Sequence, residues 1–235
     1  MFTENSKPRQ RGRPPGRTAE GESARRRLYA TAISLIAERG YEAATLRDVA
    51  ARAGVSVGLL YRYFPSKRSI VLALYDELSD AYARDAAHLP HGKWRDRFIS
   101  ALEGSLRVLG PHRLTLRALV PVMVGDVEEG VFAASSAFSR RRVQAVFRSA
   151  VADATDAPSP ALAEAVGRLL YLLHLAVLLW WLLDKSPRQR ATHALVALSG
   201  QMLPSAALTL RLPPVRRFVQ SADRLFQEAL LEEPS

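Results

Sequence analysis

Between Thr45 and Lys67 the chain reads TLRDVAARAGVSVGLLYRYFPSK, a run that gathers hydroxyls, guanidinium groups and an ammonium around two short apolar patterns. The chemistry these groups suit is contact with a polyanion. Arg47 and Arg62 can bind a phosphate, or bidentately a guanine edge. Tyr61 and Tyr63 carry hydroxyls that reach backbone oxygens, and Val57 can meet a thymine methyl. Gly58 lets backbone come close to a surface. Thr45 and Lys67 stand at expected helix starts, where unpaired N–H groups and the helix dipole favour phosphate.

Two helices must position these groups. Leu46, Val49, Ala50 and Ala53 recur at helical spacing and give the first one buried face. Thr45 caps its start, since a threonine hydroxyl accepts from orphan N–H groups there. Gly54 ends it where the chain needs positive φ. Val55 plugs the corner, and Ser56 caps the next helix, 57–64. Helix, glycine-containing turn and helix make a helix-turn-helix over 45–64. Leu60 falls on the core side of the second helix.

The flanking sequence extends the pattern. Ala32, Leu35, Gly40, Tyr41, Thr45, Val49, Ala50, Ala53, Gly54, Val55, Ser56, Gly58, Leu60, Tyr61, Tyr63, Phe64, Lys67 and Leu72 stand in the order seen in one family. Residues 22–81 resemble the DNA-binding domain of the TetR family of bacterial transcription regulators. Tyr63 departs from the histidine that the family more often has, and both can donate to a phosphate. The resemblance implies that the second helix enters the major groove with Val57, Gly58, Tyr61 and Arg62 toward DNA. One such unit reads few base pairs, so two are needed, about 34 Å apart for one helical turn. A palindromic operator bound by a homodimer is therefore expected.

The chain has 235 residues, no cysteine and a net charge of +10. Disulfides and thiolate metal sites are excluded, and the charge favours a polyanionic partner. Residues 1–21 read as a basic arm, disordered alone. Within it Arg11-Gly12-Arg13-Pro14 resembles the core of an AT-hook, in which Arg11 and Arg13 enter a narrow minor groove. Attraction of a generic basic tail to phosphate is the alternative. The N-terminus lacks an apolar signal region, and a cytoplasmic location is expected.

Beyond a helix from 23 to 39 and another from Lys67 to about 87, the pattern stays helical. Helices are expected near 94–109, 112–124, 130–154, 160–184, 187–204 and 214–232, with a loop over 153–160. The fold class is all-α: an N-terminal three-helix DNA-binding domain and a C-terminal helical domain, 88–235. The run 169–183, LLYLLHLAVLLWWLL, is shorter than a bilayer span of about 20 residues and reads as a core or interface helix. Leu169, Leu173, Val177 and Trp180 are expected at a dimer interface. The family resemblance implies that the last two helices of the regulatory domain build a four-helix bundle across that dimer.

The resemblance also implies a small-molecule effector inside the C-terminal domain, one that binds the released form more tightly than the DNA-bound form. The composition of 94–183 points to an apolar effector. His112, Arg117, Tyr171 and His174 are candidate polar lining residues, each with an ordinary packing or surface role as alternative. No phosphate-cradling loop or nucleophile elbow is present, so neither catalysis nor a cofactor is expected. His88 and His91 have no third ligand near them for a metal. The expected function is a repressor released by an apolar effector; the alternative is a ligand-independent general or architectural DNA binder.

Overall fold

The computed structural model describes residues 19–231. Arg11 and Arg13 lie outside the described residues. Among those described, the chain folds into helices and turns without strands. The N-terminal unit comprises α1 (Ala19–Arg39), α2 (Leu46–Ala53), α3 (Val57–Tyr63) and α4 (Lys67–Ala86). Leu28, Ala32, Leu35 and Ile36 of α1 turn inward at helical spacing. They meet Val49, Ala50, Leu60, Phe64, Ile70, Val71 and Leu74 in one core cluster.

The remaining helices are α5 (Trp94–Leu109), α6 (Arg113–Ala118), α7 (Val120–Gly125), α8 (Ala137–Ala152), α9 (Pro160–Leu183), α10 (Arg190–Thr209) and α11 (Pro213–Leu230). The first cluster does not stop at the end of α4. It continues through Leu116 and Leu119 into Leu178, Trp181 and Leu182 of α9. A second cluster, around Phe98, Phe147, Leu170 and Tyr171, fills the C-terminal helices. Tyr82 near the end of α4 belongs to it, so one helix runs through both cores.

Four sequence expectations change. The helix expected over 112–124 is two short helices, because Pro121 lacks an N–H and starts a new helix better than it continues an old one. The helix expected from 130 begins at Ala137. Before it, Asp126 Oδ1 accepts from the backbone N–H groups of Glu128 and Glu129, both at 2.7 Å, a local alternative to helix. The helix expected to stop at Pro204 contains that proline and runs on to Thr209. α1 also starts four residues earlier than expected, at Ala19.

Two arginines, Arg97 buried and Arg113 half-buried, serve helix ends. Arg97 donates to the carbonyls of Ala150 and Ser149 at 3.1 Å each, closing the C-terminus of α8. Arg113 does the same for α9 through Trp181 and Asp184, both at 2.8 Å. A cation beside unpaired C-terminal carbonyls is favourable. Part of the basic excess is therefore structural and faces inward.

Candidate nucleic-acid interface and ligand cavity

The helix-turn-helix is built by local signals that the backbone obeys. Thr45 Oγ1 accepts from Asp48 N at 3.1 Å, and Asp48 Oδ2 accepts from Thr45 N at 3.1 Å, closing a capping box. Gly54 adopts φ 65°, the left-handed region, and its N–H returns to the end of α2. Ser56 Oγ then accepts from Leu59 N at 3.2 Å and starts α3. Arg52 binds Glu38 at 2.7 Å and ties α2 to α1 from outside. Thr45→Ala is expected to cost about 1 kcal/mol of stability, read as a lower urea midpoint with unchanged slope. An unchanged midpoint would show that the cap contributes nothing here.

α3 presents two unlike faces. Leu60 is fully buried and Phe64 closes the helix against the core. On the other side Val57, Gly58, Tyr61 and Arg62 are exposed, with half of Tyr61 accessible. A Cβ placed at Gly58 would meet no other atom within 4 Å, so this fold does not fill the space the glycine leaves. Arg47 at the start of α2 is exposed beside this face. Tyr63 is half-buried and packs on the core cluster. Lys67 is also engaged: its Nζ donates to Tyr41 O at 2.7 Å and Glu42 O at 3.3 Å, above the Tyr41 ring. The ammonium expected at a phosphate clamps the α1–α2 turn to α4 instead.

Deeper in the chain lies a cavity of about 120 Å³. Leu78, Leu116, Val143 and Leu178 supply much of its apolar wall, and Tyr171 and His174 line it as expected. His112 and Arg117 do not: His112 sits in the tight turn after α5, and Arg117 points to solvent. Sequence reading missed Tyr75, Tyr82, Ser105 and Arg140, all lining residues. They come from three separate helices, α4, α5 and α8, and no local pattern joins them. His174 Nε2 lies 2.8 Å from Ser105 Oγ, while its Nδ1 has no partner among the described residues. Complete burial pushes its pKa down to about 3, so the ring is neutral.

The segment 126–136 connects cavity and DNA-binding unit. Val131 and Ser136 line the cavity. At its other end Glu129 accepts from the Tyr41 hydroxyl at 2.6 Å, and Glu128 pairs with Arg68 at 2.7 Å. Burial first, and then the bond to Glu129, raise the Tyr41 pKa, keeping the hydroxyl protonated as donor.

On α9, Leu173 and Trp180 are exposed, and Leu169 is half-buried. Val177 is the exception among the residues expected at a dimer interface. It is 2% exposed and belongs to the chain's own second core cluster, since it sits at the inward edge of the stripe, about 40–60° around the helix from Leu173 and Trp180. α9 has 24 residues, longer than the apolar run alone, and passes the length and hydropathy test for a membrane span. Twelve of its residues, His174 included, are nonetheless buried within the fold.

Comparison with known proteins agrees with this architecture. Residues 28–74 match the family described as bacterial regulatory proteins, tetR family. The HTH-type transcriptional repressor KstR2 of Rhodococcus jostii (strain RHA1) is 39% identical over 108 residues, 46% of this chain and 45% of the relative. The HTH-type transcriptional repressor KstR of Mycobacterium tuberculosis (strain ATCC 25618 / H37Rv) is 49% identical over 65 residues, 27% of this chain and 29% of the relative. The aligned part thus spans less than half the length of these relatives. A tetR-family transcriptional regulator from Streptomyces coelicolor shares the fold, with TM-score 0.57 and 23% identity over 88% of this chain and 98% of that one. The capping box, left-handed Gly54 and two-faced α3 all fall within residues 28–74, the part of this chain that matches the tetR family of bacterial regulatory proteins.

Proposed function

We propose that this chain is a transcriptional repressor that binds an operator as a homodimer and is released by a small, largely apolar effector. The observation that carries the reading is α3, which keeps Val57, Gly58, Tyr61 and Arg62 exposed on one face while Leu60 anchors the other. Arg47 joins them from α2, and the exposed stripe of α9 supplies a surface on which two copies pair. The arm with Arg11 and Arg13 adds minor-groove contacts or general phosphate attraction. That these relatives are repressors supports the sign of regulation. The cavity, through α4 and the 126–136 segment, supplies the effector site.

A titration of the purified protein against DNA from upstream of its own gene, with random DNA as control at two salt concentrations, tests this. A strong preference for the upstream fragment supports the reading. Equal, strongly salt-dependent binding to upstream DNA and to fragments selected from a random library favours a general DNA binder. Tyr61→Ala and Arg62→Ala are each expected to weaken operator binding about tenfold or more, at about 1–3 kcal/mol per base or charged contact, without changing the dimer. Operator affinity unchanged in both variants would take α3 out of the interface.

A further inference from the structure

Arg140 lines the cavity and is half-buried beside it. Its Nη1 donates to Val131 O and Ala133 O, both at 3.0 Å. No hydrogen bond of its Nε or Nη2, and no acidic partner, is found among the described residues. The other arginines tucked between helices differ. Arg168 binds Asp223 in a two-pronged pair at 2.7 and 2.8 Å, and Arg142 binds Asp76 at 2.9 Å. Arg97 has Asp153 at 3.9 Å, and Arg113 lies against helix-terminal carbonyls. Desolvation lowers the Arg140 pKa, with like charge from Arg141 adding to it. A guanidinium in a largely apolar cavity without a counter-ion is costly unless a partner arrives.

Two further polar atoms point the same way. The Tyr75 hydroxyl and His174 Nδ1, both on cavity-lining residues, are buried without partners. The neighbouring hydroxyls are already engaged: Ser136 donates to Gly130 O at 2.8 Å, and Ser79 donates to Asp76 O at 3.0 Å. The cavity volume, about 120 Å³, is close to that of an engineered cavity, about 150 Å³, that takes benzene.

We propose that the cavity's ligand is a small apolar monocarboxylate, an aromatic or short aliphatic acid, whose carboxylate is received by Arg140. This rests on the cavity being the effector site. A planar guanidinium whose Nε–H and Nη2–H remain free has one edge that matches a carboxylate bidentately. Tyr75 Oη–H supplies a further donor, and the body of the acid fills the space among Leu78, Val143 and Leu178. The carbonyls that hold Arg140 belong to the 126–136 segment, which also holds Tyr41 and Arg68. An anion competing for the guanidinium therefore acts on a segment that touches the DNA-binding unit.

The test is a titration of the full chain, followed by tryptophan fluorescence since Trp181 lines the cavity. The probes are benzoate against benzyl alcohol, and hexanoate against hexanol. Each acid is expected to bind about tenfold or more tighter than its alcohol. Arg140→Met is expected to abolish that preference while alcohol binding persists, and Arg140→Lys to retain part of it. Alcohols binding as well as acids to the unaltered protein would overturn the carboxylate while leaving the cavity as a binding site. A preference that survives in Arg140→Met would take the anion away from Arg140. If none of the four probes binds the unaltered protein, both the carboxylate and the cavity reading fall. The comparison of acid with alcohol needs no variant, so it stands even if Arg140→Met loosens the 126–136 segment.

Discussion

Replacing Leu173 and Trp180 together by glutamate is expected to yield a folded monomer whose operator affinity falls by about 100- to 10,000-fold. Leu173, Trp180 and Leu183 are 38%, 50% and 53% exposed, spaced seven and three residues apart along one side of α9. α10, which packs beside α9, also leaves Leu198 and Met202 more than half exposed. Side chains of this size left exposed on two adjoining helices are of the kind that mark an interaction surface. Two charges introduced at its middle would have to be buried unpaired in the dimer. Neither substituted side chain belongs to a core cluster, so the fold should survive. Each recognition helix reads only part of a site, and linking two converts the second contact into an intramolecular one worth a factor of about 100 to 10,000. Sedimentation velocity reads the oligomer, and the operator titration reads the affinity. A variant that remains dimeric would place the interface elsewhere. A monomer that binds the operator as tightly as the unaltered chain would remove the need for two copies.

The choice of Leu173 and Trp180 over Val177 marks where the sequence stops being informative. The run 169–183 is apolar nearly all round, so periodicity identifies a helix with two buried sides but cannot say which side meets the chain's own core. Val177 is buried because the second core cluster, built largely from helices distant in sequence, covers it, and not because of its sequence neighbours. The helix-turn-helix was legible because its signals are local. Thr45, Gly54 and Ser56 each act within four residues, through a cap, a positive φ and another cap. The cavity was only half legible. Tyr171 and His174 stand out as polar residues in a leucine run, whereas Arg140 lies in the sequence Ser-Arg-Arg-Arg, which reads as a solvated basic face. Only the folding back of the 126–136 segment brings Arg140 to the cavity, while Arg142 turns to Asp76 on α4 and Arg141 stays exposed. Lys67 shows the same limit from the other side: its place in the motif was evident, but its attachment to the Tyr41 and Glu42 carbonyls depends on the turn between α1 and α2.

Mild acid should destabilise this protein well above the range where its carboxylates titrate, and His174 is the cause. Its ordinary pKa of 6.5 falls to about 3 in the fold, through burial alone. Between these values the unfolded chain holds a proton on His174 and the folded chain does not. Stability therefore rises with pH across this window and is lost as pH falls from about 6.5 toward 3, at about 1.4 kcal/mol per pH unit. Asp184 acts in a separate range. The Thr192 hydroxyl, then Ser186, hold its carboxyl well below the usual carboxylate pKa, so its contribution fades only under more acidic conditions. At pH 5 the histidine alone should have removed about 2 kcal/mol relative to pH 7. His174→Gln keeps a polar group beside Ser105 and cannot titrate. Its urea midpoint is expected to be lower than that of the unaltered chain at pH 7 but to change much less between pH 7 and 5. The charged imidazolium would stand against the Phe147 ring at 4.7 Å and the Tyr82 and Tyr171 rings at 6.1 and 6.3 Å, with no carboxylate within the cavity wall to receive it. An equal loss of stability in both proteins would assign the acid sensitivity to other groups. It would also show that water reaches His174, in which case the cavity is wetter than its lining implies.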